Sequence, residues 1–400
     1  MVGSGAAGAE LAPRGRGRLS RLEREGNSNQ EKTKKHENEN RRTHWTMCSS
    51  STGALEGHST HFHPGRSDLH LPLDPPVGEL QMAHSFEHTP VLREEVVSLF
   101  ASVPDGVVID ATVGGGGHSA ALLEAHPGLR VVALDRDPAA LDAARLRLAS
   151  FGDRVTLIRS PFSALNQVAS DLELGGFSGV LFDLGVSSPQ LEWSERGFSY
   201  RNDGPLDMRM DPTSGATAGD LVNSLPEDEL AALFRANGEG RVSGRVARAI
   251  VRARPLRTTR ELADVVAAAV PQAARRKGHP ARRVFQALRI EVNDELGQLE
   301  AALSFALQHL AVGGVCAVIS YHSGEDRLTK QTFATAASGG CECPPGLPCV
   351  CGAVPTIRLL TRGALRPRPS EIDANRRAES ARLRAAERLA TSESPSGTAP

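Results

Sequence analysis

Four short aliphatic runs, three of them closing on an aspartate, constrain this chain more than any other feature. They are Val107-Val108-Ile109-Asp110, Val131-Val132-Ala133-Leu134-Asp135, Val155-Thr156-Leu157-Ile158 and Val180-Leu181-Phe182-Asp183. Each is too short for a buried helix and lacks the polar alternation of a half-exposed strand, so each reads as a strand covered on both faces. Between them lie stretches of helical spacing, through Ala120, Leu122 and Leu123 and from Pro138 to Leu148, with the proline well placed in a first turn. Strands alternating with helices predict an α/β fold built on a parallel sheet. Ligands in such sheets bind beyond the carboxyl ends of the strands. Asp110, Asp135 and Asp183 are therefore expected to line one crevice.

The loop after the first run is Gly114-Gly115-Gly116-Gly117-His118-Ser119. Glycines let the backbone approach a ligand where a Cβ would intrude. Asp135 follows Gly114 by 21 residues, the spacing of a strand-end carboxylate that accepts both hydroxyls of a ribose. A dinucleotide would want Gly-x-Gly-x-x-Gly or Ala around its pyrophosphate, whereas Ser119 holds the last position and His118 enters the loop. Loop and carboxylate together favour an adenosyl ligand without a pyrophosphate, S-adenosylmethionine ahead of NAD; for the glycines alone a tight turn is the competing explanation. Asp183 leads into Leu184-Gly185-Val186-Ser187-Ser188-Pro189-Gln190. This polar turn, stiffened by its proline, belongs where a transferable methyl would lie; taken alone it reads equally as an ordinary strand-to-helix turn.

The next strand-like run, residues 315–320, arrives only after roughly 125 residues, far beyond a usual crossover. The intervening chain reads as helices over 227–234, 242–251, 261–270 and 284–296. Between Arg235 and Arg289 stand fourteen Lys or Arg against three acidic residues, in a chain of net charge −1. Such segregation points to an anionic partner, with a solvated cationic face as the alternative. Arg241, Arg245, Arg248 and Arg252 share one helix face, and Arg275-Arg276-Lys277-Gly278-His279 adds a basic loop. Trp193, Phe198 and Tyr200 are placed either to stack on an extruded base or to seal the insertion onto the sheet.

Residues 1–82 have few clustered aliphatics and cannot offset the entropy of ordering, so a disordered arm is expected there and a disordered tail at 391–400. Glu23, Glu25, Glu31, Glu37 and Glu39 argue against a transit peptide, and no apolar signal region follows. His58, His61, His63 and His70 read as solvated tail, and Met82 is a candidate natural start. No run of apolar residues is long enough to span a membrane. Six cysteines are too few for a disulfide scaffold in a chain this long, which favours a cytoplasmic protein. Cys341-x-Cys343 and Cys349-x-Cys351 have the donors of a tetrahedral zinc site, but not the usual two-residue spacing, so reduced loop thiols are the preferred reading and no metal is expected.

With these residues in hand, the sequence resembles the bacterial small-subunit (16S) ribosomal-RNA cytosine-N4 methyltransferase family over about residues 86–390. The matching runs are His88-Thr89-Pro90-Val91-Leu92, Asp110 through Ser119, Asp135-Arg136-Asp137-Pro138 and Pro161-Phe162-Ser163, with 183–191, 196–199, 203–212, 279–289 and Tyr321-His322-Ser323. Gly324 and Arg376 depart from the family pattern. The resemblance implies a Rossmann-like methyltransferase domain over 83–190 and 291–390, with an inserted helical RNA-recognition domain over 191–290. It implies S-adenosylmethionine contacts at Gly116, Gly117, His118, Asp135, Phe162, Asp183 and Gln190, with Phe162 against the adenine. The substrate implied is a cytidine in the decoding region of 16S rRNA within the small subunit, and a homodimer is allowed. It also implies a closing strand over 381–389, where composition alone reads as helix. The catalytic candidates are Asp183, Ser187, Ser188 and Pro189, which would accept hydrogen bonds from the cytosine amine and localise its lone pair. Two rival classes are an NAD-dependent oxidoreductase and a ribosome-assembly factor that binds RNA without catalysis.

Overall fold

Every aliphatic run forms a strand of a single sheet. The strands are β1 (Gly106–Asp110), β2 (Leu129–Asp135), β3 (Val155–Arg159), β4 (Phe177–Asp183), β5 (Leu310–Ser320), β6 (Ile357–Leu359) and β7 (Arg382–Arg388). The computed structural model describes residues 89–238, 240–272, 278–344 and 350–390; the expectations for the amino-terminal arm, its histidines and Met82, for the tail and for Arg275-Arg276-Lys277 lie outside them. The helices are α1 (Arg93–Phe100), α2 (Gly117–Ala125), α3 (Pro138–Leu148), α4 (Leu165–Asp171), α5 (Ser188–Glu192), α6 (Ala218–Ser224), α7 (Glu227–Ala236), α8 (Ser243–Ala253), α9 (Thr259–Ala269), α10 (Ala281–Val292), α11 (Glu295–His309), α12 (Ser323–Ser338) and α13 (Pro369–Ala374).

The strand order is β3-β2-β1-β4-β5-β7-β6. Strands β1 to β5 pair in parallel. Side chains alternate between the two faces: Val108, Leu181 and Ile319 pack with Val96 and Phe100 of α1, while Ile109, Val180, Phe182 and Val318 pack with Leu165 of α4 and Leu299 and Leu303 of α11. Phe100, Phe177 and Phe182 are fully buried, each side chain contributing about 1.5–3 kcal/mol of burial energy.

The sheet is parallel over β1 to β5, as expected, and the closing strand β7 runs antiparallel to both β5 and β6. Its register starts with Arg382 opposite Ser320, so the chain enters β7 at the carboxyl end of β5. That entry delivers residues 375–380 to the mouth of the crevice. The helix-favouring alanines and arginines of this stretch are overridden because Leu383, Ala385 and Ala386 are entirely buried in the sheet.

Between β4 and β5, helices α6 to α10 enclose a core of their own that includes Val222, Phe234, Ile250, Val266 and Leu288. Capping boxes at Thr217 with Asp220 and at Thr258 with Glu261 start α6 and α9. The helix expected over 284–296 is two helices, because Asp294 is left-handed at φ 45°. The break frees the Asn293 side chain, which donates to Met208 O and accepts from Met210 N, both at 2.8 Å. Arg245, Arg248 and Arg252 lie exposed on α8, with Arg241 exposed just before it, while Val246, Ala247 and Ile250 point inward. No described helix is long and apolar enough to cross a membrane.

Candidate active site

A cavity of about 1140 Å³ opens above the carboxyl ends of the parallel strands, walled by the glycine loop, Asp135, Phe162, Asp183, Tyr321 and the segment before β7. Gly114, Gly115, Gly117 and His118 face it. At Gly117 a Cβ would come within 2.5 Å of Pro90 and 3.0 Å of Arg147, so only glycine fits that close approach. Gly116 does not line the cavity; at φ 77° it caps α2, and its missing Cβ makes room for Leu148 of α3.

Asp110, expected in the crevice, lies beneath it. It is 1% exposed and accepts from Ser119 Oγ at 2.6 Å and Thr112 N at 3.2 Å. Its carboxylate is therefore a strut under the glycine loop, because a strand-end side chain pointing down the sheet is covered by the helix that follows.

Asp135 does reach the cavity wall. Its Oδ2 accepts from Gly114 N at 3.0 Å and its Oδ1 from Asp137 N at 2.9 Å. Burial pushes its pKa up to about 6, against the lowering effect of these two bonds. Phe162 stands edge-on to Phe182, with ring centroids 5.9 Å apart, and forms the adjoining wall.

Asp183 sits across the cavity. Its backbone N donates to Thr112 Oγ1 at 2.6 Å, and its Oδ1 accepts from the Tyr321 hydroxyl at 2.9 Å. Burial raises the Tyr321 pKa well above the usual phenol range, and the Asp183 charge adds to it, so the hydroxyl stays a donor. His118 Nε2 lies 3.5 Å from Asp183 Oδ2. His118 is 5% exposed and neither ring nitrogen has a hydrogen-bond partner. Buried ring nitrogens without a hydrogen-bond partner suit a site that receives a polar ligand atom.

Ser187 lines the cavity and its N–H donates to Gln190 Oε1 at 3.0 Å. The side chains of Ser188 and Pro189, which open α5, lie outside the described residues. Gln190 also lines the cavity but is 4% exposed, and its Nε2 donates to Asp137 Oδ2 at 2.8 Å. Both ends of its amide are thus held by the protein. Asp137 caps α3 through Ala139 N and receives Arg196 Nη1 at 2.9 Å. The other Arg196 nitrogen donates to the carbonyls of Arg209 and Met210 at 3.2 and 3.0 Å. One buried chain of bonds therefore runs from the loop after β2, through the turn after β4, to the start of the insertion.

The wall at the head of α12 is a second network. Arg289 binds Glu295 with both nitrogens, at 2.7 and 2.8 Å, and its guanidinium, against the opposing effect of burial, holds Glu295 down at about 2. His322 Nδ1 accepts from Gly324 N and Glu325 N, which leaves its proton on Nε2, 3.1 Å from Glu325 Oε1. Glu295, His322 and Glu325 bring ligand-type atoms within 4.8 Å of one another, but with Nε2 protonated and facing Glu325, and Glu295 clamped by Arg289, they form an ion-paired cluster and not a cation cage. Gly324 fits tightly here, its Cβ position 3.1 Å from the His322 ring.

The aromatic trio divides. Phe198 is in the core of the insertion, Tyr200 stacks on His279 with centroids 4.9 Å apart, and both line the cavity; Trp193 is 43% exposed and outside it. Thr112, Asp137, Arg196, Asn293 and Tyr321 were not among the sequence-derived site residues. All but Asn293 stood inside quoted runs, but the partners of Arg196 and Tyr321 lie 59 and 138 residues away, which spacing cannot reveal.

Residues 85–389 match the family model described as the MraW methylase family. Ribosomal RNA small subunit methyltransferase H of Heliobacterium modesticaldum is 54% identical over 311 residues, 76% of this chain and 99% of that protein. The protein of the same name from Thermobifida fusca is 53% identical over 309 residues, 75% of this chain and 93% of that one. The third, from Symbiobacterium thermophilum, is 52% identical over 315 residues, 77% of this chain and 99% of its own length. On a family match that spans most of its length, and on relatives more than half identical over nearly their whole length, the chain belongs to the MraW methylase family.

Proposed function

We propose that this chain is an S-adenosylmethionine-dependent methyltransferase that methylates the exocyclic N4 of one cytidine in the decoding region of 16S rRNA, on the small ribosomal subunit in the cytoplasm. In this reading α6 to α10 are an RNA-recognition domain set into a Rossmann-like methyltransferase domain. The observation that carries the reading is the meeting of two unlike sites across one cavity: Asp135 beside the glycine loop, and Asp183 held by Tyr321 beside His118.

The residues present fit an adenosyl ligand. Asp135 keeps lone pairs for ribose hydroxyls, Phe162 offers an apolar wall to a purine, and the His118 ring needs a polar partner. S-adenosylmethionine supplies a methyl group on a sulfonium, a strong electrophile that needs no further activation. Cytosine N4 is a weak nucleophile because its lone pair is delocalised into the ring. Tyr321 occupies Asp183 Oδ1 and leaves the second oxygen to accept from the amine, which localises that lone pair and orients it. Ser187, whose backbone is held by Gln190, lines the same cavity and is the second acceptor in this reading. The methyl group would move from sulfur to nitrogen, its carbon–sulfur bond breaking to leave a neutral thioether, and the amine proton would pass to Asp183 and then to solvent.

The direct test is to incubate the protein with labelled S-adenosylmethionine and small subunits lacking the modification, then map the methyl group by nuclease digestion and mass spectrometry. N4-methylcytidine at a single position is expected. Cofactor and RNA binding without transfer would favour the assembly-factor class instead, and NAD binding at the glycine loop the oxidoreductase.

Two further outcomes are expected. Asp135 must be ionised to accept from both ribose hydroxyls, and its pKa stands at about 6. Affinity for S-adenosylhomocysteine should therefore hold above pH 7 and fall by up to about tenfold per pH unit below 6. Stability of the ligand-free protein carries the opposite sign: a carboxyl raised on folding costs stability as pH rises from about 4 through 6. Calorimetric titration between pH 5 and 8 checks the first, and a flat profile would remove Asp135 from the ribose. Replacing Arg245, Arg248 and Arg252 together with Gln should reduce the salt slope of RNA binding by about 2, at about 0.7 for each phosphate no longer neutralised, and leave cofactor affinity unchanged. An unaltered slope would return this helix face to mere solvation.

A further inference from the structure

The loop between α12 and β6 is pinned at its ends. Thr356 N donates to Ala336 O at 3.0 Å, and Gly340 N to Thr335 O at 2.9 Å. Gly339, at φ 64°, lies so close to Val354 that a Cβ there would sit 2.5 Å from its backbone. Beyond these pins the loop buries no large apolar side chain among the described residues; Val350 is 89% exposed and Val354 51%. Nothing hydrophobic among those residues holds the loop in one conformation. Yet Cys341, Cys343 and Cys351 bring their sulfur atoms within 4.8 Å of one another. Sulfurs each about 2.3 Å from one tetrahedral ion stand about 3.8 Å apart, so only a small contraction separates this arrangement from a coordination sphere.

We propose that Cys341, Cys343 and Cys351 form a structural zinc site that staples this loop. Thiolates are soft donors that select zinc over magnesium or calcium. A surface loop whose described residues bury no large apolar side chain is a setting in which metal binding supplies the ordering energy. On binding, each thiol releases its proton to solvent and the sulfur lone pair goes to the ion, leaving one tetrahedral position for a fourth donor. Cys349, paired with Cys351 in the sequence-derived reading, lies outside the described residues. The site is at the carboxyl end of α12, whose 16 residues place it about 24 Å from the cavity wall at His322. Its role is therefore structural: it fixes the far end of the helix whose first turn carries the Tyr321–Glu325 wall.

The test begins with protein purified under reducing conditions, without chelator, from zinc-supplemented cells. Elemental analysis should find about one zinc per chain. After zinc is stripped, cobalt chloride should produce the near-ultraviolet thiolate-to-cobalt absorption and the intense visible bands of a tetrahedral site. The double variant Cys341→Ser/Cys351→Ser should bind zinc at least about tenfold more weakly while still binding S-adenosylhomocysteine, which shows that it has folded. Less than about a tenth of a zinc per chain with no cobalt–thiolate band in the unaltered protein would overturn the proposal. So would a double variant that keeps its full zinc. Should the variant not fold, the cobalt titration of the unaltered protein decides by itself.

Discussion

Asp183→Asn is expected to keep the cofactor and lose the reaction. Asparagine matches the shape of aspartate and can still accept from the Tyr321 hydroxyl, now 2.9 Å from Asp183 Oδ1. Its second polar atom is then an NH₂ donor, facing His118 and the cavity where an acceptor for the cytosine amine is required. Removing such a group lowers turnover by about 10²–10⁴-fold, while the glycine loop and Asp135 are untouched. Single-turnover transfer of a labelled methyl group measures the first quantity and calorimetry with S-adenosylhomocysteine the second. Transfer within about tenfold of the unaltered enzyme would take Asp183 out of the chemistry. Tyr321→Phe separates the positioning part of the effect: it removes one hydrogen bond to a charged group, about 1.5–3 kcal/mol, and should slow turnover by less than Asp183→Asn does.

Arg196→Met should cost about 3–5 kcal/mol of folding stability, the range for removing one partner of a buried ion pair. The Arg196 and Asp137 side chains are 11% and 3% exposed, so water cannot replace the missing partner. The same change strips donors from the carbonyls of Arg209 and Met210. Adding Asp137→Asn should recover part of the loss, because the unpaired charge is then gone, and only part because one amide oxygen replaces the two that accept from Ala139 N and Gln190 Nε2. Urea unfolding of the two variants, with the denaturant slope unchanged, is the measurement. A single-variant cost below about 1 kcal/mol would mean that the pair is relaxed in solution. Because Gln190 bonds both Asp137 and Ser187 N, the surviving folded fraction should also show a lower turnover number with its cofactor affinity little changed.

The buried strands were the most legible part. A run such as Val180-Leu181-Phe182 has one physical solution, a strand with a covered face on each side, and it adopts that solution with Val180 and Phe182 on one face and Leu181 on the other. The helices of the insertion were legible from their period, up to the point where Asn293 and Asp294 interrupt it; only the need to bond the Met208 and Met210 backbone explains that break. Composition pointed the wrong way at β7, where alanine and arginine fill a strand whose place in the sheet overrides local preference.

The candidate site was legible in outline, through the carboxylates that end β1, β2 and β4, but not in their division of labour. Asp110 went beneath the glycine loop, Asp135 into its wall, and Asp183 opposite it under Tyr321. By itself the sequence determined which segments must be buried and which turns must carry polar groups, because burial and backbone freedom act on neighbours along the chain. The tertiary structure alone decided which of those groups meet. The pairs Tyr321–Asp183 and Arg196–Asp137 join segments whose approach depends on how the sheet, the insertion and the segment after β5 pack together, and hydrogen bonds are satisfied only by that final three-dimensional proximity.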